Sequence, residues 1–541
     1  MDHPSTVDEA PDTAWAAFTA SGPWVLDPEA MAWDDGIESL RSEVNRSVPE
    51  LTRRVAVPPV PRLAATVRHL GVAVGRWWFG ARRRGGSPSR ADLARRLRVA
   101  AEALGPSYIK LGQIVSSGRG LFPDELVEEF SLLRDRVQPE TFAAVRQVIE
   151  EDLGRPVGDV FSFLDRRPLA AASIAQVHRA RLVTGEDVVV KVQRPTVSAR
   201  VQADLRVMSW IAPLLVGRIP VAALANPPAL VELFAETITE ELDFRLEADN
   251  MVAVGRSLAE LGQRGYVVPR PHPELVTRRV LVMERLEGYA FDDAGAMRDA
   301  GIDTEAIVRT GMIGFLEGAM FHGLFHGDLH GGNLLVLADG RTGLLDFGIT
   351  GRLTELERQA FLRLVVGASM NDVGTQLTAM RDLGALPPDA DLATLVSELG
   401  LDRPPVDPTS LGADELAAEI QRVTKSLLQR GARLPKPLML FVKDLVFLDG
   451  AIATLAPDLD LFAEIAGIAM YFNERHGARI AAEAGLAAQQ WDLDLSAMKA
   501  SVGVDTTDTA TMTHRQLQVH RQQVRDHYDA RPRGRRRGRR R

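Results

Sequence analysis

The sequence predicts an α+β protein in which a strand-rich unit precedes a helix-rich one. Three observations lead there. Near residue 160 the patterning turns to strand: "QVHRARLV" and "DVVVKVQ" flank the turn residues "TGE" and read as an antiparallel hairpin. After Gly288 the apolar residues recur at threes and fours, and the pattern stays helical to about residue 490. One stretch interrupts it, "NLLVLADGRTGLLDFG", where Asp339-Gly340 marks a tight hairpin.

The totals are compatible with that class. The 541 residues are too many for one ordinary core, so two or more packed units are expected. Hydrophobic residues are 45% and charged residues 25%, as in a globular protein. Cysteine is absent, which excludes disulfides, thiolate metal sites and thiol nucleophiles. The acidic, proline-bearing start lacks the basic and apolar regions of a secretory signal. No uncharged apolar stretch is long enough to span a bilayer. The best candidate, 207–225, carries Pro213, Arg218 and Pro220 and reads as a buried helical hairpin or loop.

In chain order, residues 1–90 read as an N-terminal extension and linker, of which 1–60 look loosely ordered. Within them, "GVAVGRWWFGARRR" (71–84) pairs aromatic residues with a basic run. That composition suits a membrane interface, and equally a packed amphipathic helix followed by a linker. "GARRRGGSPSR" (80–90) is the linker signal. Residues 91–153 read as helical. Residues 154–287 hold the strands, with helical patterning over 196–255 and a second strand pair near "GYVVPRP" and "RRVLVMERLEG". Residues 288–490 form the helix-rich unit. Residues 491–541 are a tail ending in "RPRGRRRGRRR", with eight arginines. Its charge suits anionic lipid or nucleic acid, or plain solvation. Nucleic acid is not an expected partner.

In "DVVVKVQ", Val188, Val190 and Val192 share one face and Lys191 points to the other; Pro195 ends the strand. Lysine is scarce: only Lys110, Lys191, Lys425, Lys436, Lys443 and Lys499 among 64 basic residues. Where this chain keeps Lys, the compact ammonium is expected to matter.

The chemistry centres on "HGDLHGGN" (326–333) and "LLDFG". Phosphoryl transfer needs a carboxylate near the acceptor hydroxyl and oxygen ligands holding Mg²⁺ on nucleotide phosphates. Asp328 and Asn333 keep the Asp-to-Asn spacing of a kinase catalytic loop, and Asp346 arrives across a hairpin as the Asp of D-F-G does. Asp328 is therefore the expected base position, and Asn333 and Asp346 the expected metal ligands. Ile313, Leu316, Met320 and Leu324 are expected on one helical face ahead of this loop. Two residues after Asp328, where protein kinases have Lys close to the transferred phosphate, this chain has His330. Lys191 suits the strand lysine that contacts nucleotide phosphates, and Glu247 is a candidate ion-pair partner for it. In "PLAAASIAQVHRA" (168–180), alanines stand where a phosphate-covering loop would carry glycines, so a stiffer loop is expected.

Four blocks together resemble the UbiB family of atypical kinase-like proteins: "KLGQ" (110–113), "AAASIAQVHRA" (170–180), "ELDFRLEADN" (241–250), and "HGDLHGGN" with "DFG". Aminoglycoside and choline kinases share the Asp-to-Asn loop but lack the first two blocks. The resemblance implies a protein-kinase-like bilobal fold with an N-terminal helical extension, and binding of ATP with Mg²⁺. It implies that Ala170, Ala171, Ala172, Ser173, Ile174 and Ala175 cover the nucleotide, with Lys191 and Met283 also contacting it. It pairs Lys191 with Glu247, and Lys110 with the acidic cluster at Glu241 and Asp243. The K-x-G-Q segment, with Gly112 and Gln113, would lie over the active site as a regulatory element. It associates the chain with ATP hydrolysis at membranes, and with isoprenoid quinone biosynthesis or lipid homeostasis. Expected partners are ATP and a lipid, quinone precursor or anionic membrane surface. The expected location is cytoplasmic, with peripheral attachment to the inner face of the membrane left open. Alternatives are a nucleotide-sensing scaffold and a small-molecule or protein kinase. The chain departs from the family pattern at Gly118 and Gly120, which replace Arg and Asp, and at Gly327, Leu329 and Gly332 in the catalytic loop.

Overall fold

A computed structural model describes residues 16–20, 22–27, 31–55, 57–117, 122–133, 138–215, 227–400, 426–427, 430–432, 435–485, 494, 496, 499, 511–519 and 522. The chain divides into two compact units. The first is residues 1–291, 325–351 and 439–446; the second is 292–324, 352–438 and 447–541.

The first unit opens with helices α1 (Ile37–Thr52), α2 (Val60–Phe79), α3 (Gly86–Leu104), α4 (Pro106–Ser117), α5 (Asp124–Phe130), α6 (Phe142–Leu153) and the single turn α7 (Val157–Val160). Within the region 1–60 read as loosely ordered, residues 37–52 are helix, and α2 carries most of the 71–84 stretch that reads as an amphipathic helix. The linker signal at 80–90 is a 3₁₀ turn, Ala81–Arg84, running almost directly into α3. Pro88 falls in the first turn of α3, where its missing N–H costs nothing, and the Trp77 indole donates to the Ser89 carbonyl at 3.0 Å. Gly118, Gly120 and the Arg-rich tail lie outside the described residues, as do 216–226 of the apolar candidate span, whose first part ends α8 (Val197–Leu215). Helices α9 (Pro227–Glu240) and α10 (Phe244–Glu260) complete the set. No helix among the described residues is long and apolar enough to cross a membrane.

The strands are β1 (Phe161–Leu164), β2 (Ala170–Ala171), β3 (Ala175–Leu182), β4 (Asp187–Gln193), β5 (Tyr266–Val267), β6 (Pro271–Val276), β7 (Val280–Glu284), β8 (Tyr289–Ala290), β9 (Leu324–His326), β10 (Leu334–Val336), β11 (Thr342–Leu344) and β12 (Thr350–Arg352). The main sheet has the order β1-β3-β4-β7-β6, with β2 on β3. Val188, Val190 and Val192 face a core that includes Val145, Val148 and Ile149 of α6 and Val280 and Val282 of β7. The opposite face of β4 carries Lys191, which the pleat aims away from that core.

A second sheet runs β5-β11-β10-β8. The strand pair expected near "GYVVPRP" and "RRVLVMERLEG" forms where the first stretch ends: Pro271 of β6 lies opposite Met283 of β7, and the Glu284 amide donates to the Arg270 carbonyl at 2.8 Å. The start of the first stretch, β5, lies parallel to β11 instead, and β4 is the other partner of β7. The β10–β11 hairpin closes as expected over Ala338-Asp339-Gly340, with Gly340 at φ 84° and the Leu337 amide donating to the Arg341 carbonyl at 2.8 Å. A left-handed residue there is what a three-residue hairpin loop needs.

The second unit is helical: α11 (Ala294–Asp299), α12 (Thr304–Glu317), α13 (Glu355–Ser369), α14 (Val373–Asp382), α15 (Leu392–Leu399), α16 (Lys436–Leu455) and α17 (Leu461–Ala484). Residues 439–446 of α16 belong with the first unit. The expected face Ile313, Leu316, Met320 and Leu324 does not form. After Glu317 the helix widens into a π turn, Gly318–His322, and Leu324 is in β9. The π turn adds a residue per turn and shifts the register: Met320 is buried with Gly318, Ala319 and Phe321, while Ile313, Leu316 and Leu324 are only half-buried.

Candidate active site

Four carboxylates and three ammoniums converge in the first unit. Lys191 Nζ is 2.7 Å from Glu247 Oε1 and 2.9 Å from Asp346 Oδ1. Lys110 Nζ is 3.0 Å from Glu241 Oε1 and 3.5 Å from Asp328 Oδ2. Lys443 Nζ donates to Asp328 Oδ1. Half of the chain's six lysines thus meet at one place.

Local chemistry explains how each arrives. Asp243 caps α10, its carboxylate accepting from the Arg245 amide, and this fixes the first turn that carries Glu247. The same carboxylate pairs with the Arg245 guanidinium at 2.7 Å. The expected partnership of Lys110 therefore runs to Glu241 and Asp328, while Asp243 is committed to the cap and to Arg245. Lys110 and Gln113 stand on α4. A Cβ at Gly112 would come within 2.3 Å of Leu133 Cδ1, so glycine lets this helix sit close against the segment after α5.

The 326–333 loop is tied to the D-F-G segment by His326. The Asp328 amide donates to His326 Nδ1 at 3.2 Å, and the other ring nitrogen, Nε2, is 2.9 Å from the Leu345 carbonyl. That pattern requires the proton on Nε2. Burial holds the imidazole below its ordinary pKa and so keeps it neutral. The Leu345 amide also donates to the Asn333 carbonyl at 2.8 Å, which sets Asn333 beside Asp346. Asn333 Nδ2 donates to the Asp328 carbonyl at 3.1 Å, leaving Oδ1 as an acceptor. Asp346 has φ 57°, a left-handed backbone that Asp tolerates better than most residues. Its Oδ1 accepts from Lys191 and from the Gly348 amide, which leaves Oδ2 for another partner.

The fields in the site are strong. Burial disfavours charge on Lys191, but Asp346 and Glu247 outweigh it and raise the ammonium above its usual range. Burial would raise Asp328; Lys443 and Lys110 outweigh it and hold the carboxyl far below the ordinary value. Asp346 is held at about 2, because Lys191 overcomes the effect of burial. Glu241 goes the other way: burial pushes it up to about 7, against the pull of Lys110. For a carboxyl raised from 4.5, the stabilisation is present below about pH 4.5 and is lost as pH rises through about 7. That shift corresponds to roughly 3 kcal/mol. Glu241→Gln is expected to flatten the fall in stability across this window, read from urea unfolding midpoints at several pH values.

The alanine loop needs no glycine, since none of residues 170–175 has a positive φ. Ala170 and Ala171 pair with Val177 and Gln176. Ser173 and Ile174 are buried, and the Ala172 amide donates to the Ala175 carbonyl at 2.9 Å. Arg194 then fixes the turn, its amide donating to the Ile174 carbonyl and its Nε to the Ala172 carbonyl. Met283 is buried in β7 opposite Val189.

Sequence reasoning missed Arg194, His326, Lys443 and Asp444. Asp444 Oδ1 accepts from the Leu329 amide at 2.9 Å, and burial raises its carboxyl well above the ordinary value. The one available signal was the scarcity of lysine, which singled out Lys443 without giving it a place.

Residues 132–378 match the family model described as the ABC1 atypical kinase-like domain. An uncharacterized protein of Mycobacterium tuberculosis is 36% identical over 432 residues, covering 78% of this chain and 86% of its own length. The chain belongs to the ABC1/UbiB family of atypical kinase-like proteins. Other family relatives agree. A protein named as a probable protein kinase UbiB in Aeromonas salmonicida is 32% identical, over 69% of each chain. An Arabidopsis thaliana protein named as a chloroplastic aarF domain-containing protein kinase is 32% identical, over 70% of this chain and 76% of its own. In this UbiB-family chain Lys110, Lys191 and Asp328 thus share one network of charges.

Proposed function

We propose that the chain is an atypical kinase-like ATPase that binds Mg-ATP and acts in isoprenoid quinone biosynthesis or membrane lipid homeostasis. The observation that carries this reading is Lys191 bridging Glu247 and Asp346 beside the Asp328–Asn333 loop. Asn333 Oδ1 and Asp346 Oδ2 are oxygen donors of the hard kind Mg²⁺ takes, with nucleotide phosphates and water completing its shell. Mg²⁺ held there would neutralise phosphate charge. Lys191 would orient the nucleotide phosphates, with Glu247 holding its ammonium in place. Asp328 would orient a water molecule whose oxygen bonds to the γ-phosphorus. The bond to the bridging oxygen would break with its electron pair leaving on ADP, and the proton of the water would pass by way of the new phosphate's oxygens to solvent. A strongly basic Asp328 is not required, because the transition state of phosphoryl transfer is loose and positioning dominates. The test is ATP hydrolysis with anionic vesicles, comparing the wild type with Asp346→Asn.

Two ammoniums on Asp328 favour water over a protein hydroxyl as acceptor, since Lys110 and Lys443 occupy the carboxylate an incoming side chain would approach. The same observation supports the second reading, a nucleotide sensor without turnover. That reading predicts stabilisation by Mg-ATP with no ADP released.

Helix α2 supports a membrane surface as partner. Val60, Ala64, Val67, Gly71, Val74 and Trp78 recur at three- and four-residue spacing and share one face. Val60, Val67 and Trp78 are half or more exposed, and the adjoining Phe79 is 83% exposed. Arg68, Arg76, Arg82 and Arg83 are exposed around this stripe, and the Arg82 guanidinium lies 3.4 Å from the Trp78 ring centroid. An apolar stripe with aromatic ends and a basic margin suits an anionic bilayer. Val67→Glu/Trp78→Glu/Phe79→Glu is expected to weaken cosedimentation with phosphatidylglycerol vesicles at least about tenfold, the loss of three buried apolar contacts. Unchanged binding would remove α2 from the membrane surface.

A further inference from the structure

We propose that Lys443 binds the terminal phosphate of the nucleotide, supplying from helix α16 the ammonium that the catalytic loop lacks at His330. The assignment rests on the nucleotide reading above. The loop position two residues after Asp328 carries an imidazole and no ammonium. His330 is exposed, and its Nδ1 accepts from the Gly332 amide at 3.1 Å, capping the short turn Gly331–Asn333. Its Nδ1 is committed to the loop.

Lys443 stands where the missing charge is needed. Its Nζ donates to Asp328 Oδ1, the carboxylate beside which the transferred phosphate must lie in an in-line reaction. Its neighbour Asp444 accepts from the amide of Leu329, the residue after Asp328. Two consecutive residues of one helix therefore grip two consecutive residues of the loop, which sets Lys443 against Asp328 with little freedom. The three site lysines differ in what they can still do. Lys191 has two carboxylate partners and a side chain only 6% exposed; Lys110 also has two and is 10% exposed. Lys443 has Asp328 as its carboxylate partner and is 21% exposed. An ammonium has three N–H donors, so Lys443 keeps donors for a phosphate oxygen while it holds Asp328. A chain that uses Arg for 58 of its 64 basic residues (64 less six lysines) keeps Lys here. A compact point charge suits a phosphate already crowded by a carboxylate.

The test uses the full chain and two probes, Mg-ADP and Mg-AMPPNP, the second carrying a non-hydrolysable terminal phosphate. Affinities are measured calorimetrically, and kcat for ATP separately. Lys443→Met is expected to weaken Mg-AMPPNP about tenfold or more, the scale of one charge-assisted hydrogen bond, with Mg-ADP unchanged and kcat reduced at least as much. Lys443→Arg, which keeps the charge without the compact ammonium, should retain only part of the difference between the probes. His330→Lys placed in the Lys443→Met background should recover part of both the AMPPNP affinity and kcat. A merely structural lysine would shift the two probes equally, and that result, or no shift at all, overturns the assignment. Failure of the wild type to bind either probe would instead overturn the nucleotide reading, and this assignment with it.

Discussion

Asp346→Asn is expected to cut Mg-ATP hydrolysis by about a hundredfold or more while leaving the fold in place. The scale is that of removing one group that acts on charge developing in the transition state. The backbone at Asp346 has φ 57°, and Asn accepts a left-handed conformation as readily as Asp does. The substitution keeps side-chain shape and Oδ1, so the Gly348 amide keeps its acceptor. What is lost is the negative charge, and with it an anionic donor for Mg²⁺ and one of the two counterions of Lys191. Lys191 keeps Glu247 at 2.7 Å. Repulsion between Asp346 and its neighbours Glu247 and Asp328 is relieved at the same time, so the melting temperature should move by no more than a few degrees. ADP release across a magnesium titration is the measurement. Equal rates for the two proteins would sink the proposed chemistry.

Lys191→Met is expected to be the costliest single substitution in the site for stability. Lys191 and Glu247 are both buried, with side chains 6% and 4% exposed. Removing one member of such a pair leaves a desolvated charge without a partner, which costs about 3–5 kcal/mol. Lys191→Met/Glu247→Leu should recover most of that loss, because neither charge is then buried alone. Activity should not return, since the phosphate contact stays absent. The two readouts separate packing from chemistry, and the coupling between the substitutions comes from the four urea unfolding curves. There is also a pH signature. Burial pushes the Glu247 carboxyl up to about 7, and Lys191 is what pulls it down. Without the lysine its pKa rises further. A raised carboxyl stabilises below its unfolded value and loses that contribution as pH rises, so Lys191→Met should be closer to wild type at pH 5 than at pH 8. If the variant were equally impaired at both, Glu247 would not be the group left uncompensated.

The part of this site that the sequence makes legible is the part built from short spans. Asp328 and Asn333 lie within one loop, Asp346 follows across one hairpin, and Asp339-Gly340 announces that hairpin because its geometry demands a left-handed residue. Lys191 could be read from the alternation of the valines around it. Lys443 and Asp444 could not. They stand 115 residues beyond Asp328 and Leu329, in a helix whose local pattern is ordinary, and only tertiary packing brings them to the loop. Asp243 shows the opposite failure. It sits two residues from Glu241, and the family resemblance pairs both with Lys110, but the start of α10 needs a cap, and that local demand takes the carboxylate. The stretch at 80–90 reads as a linker because Gly, Ser and Pro are poor in helix interiors. At the first turn of α3 the proline carries no such penalty. The π turn after Glu317 left no trace in the apolar spacing, so the face expected over Ile313 to Leu324 was drawn on the wrong helix geometry.

The grip of α16 on the catalytic loop makes the chain sensitive to the phase of that helix as well as to its composition. Each residue of an α-helix turns the next by about 100° and advances it by about 1.5 Å. Inserting a single residue between Lys436 and Lys443 would rotate both the ammonium and the Asp444 carboxyl away from the loop without changing either residue. Inserting four would bring their direction nearly back, displaced by about one turn. Length variation in this part of the chain is therefore expected to be tolerated in helical steps or not at all, a pattern a set of insertion variants would display as a period rather than a trend.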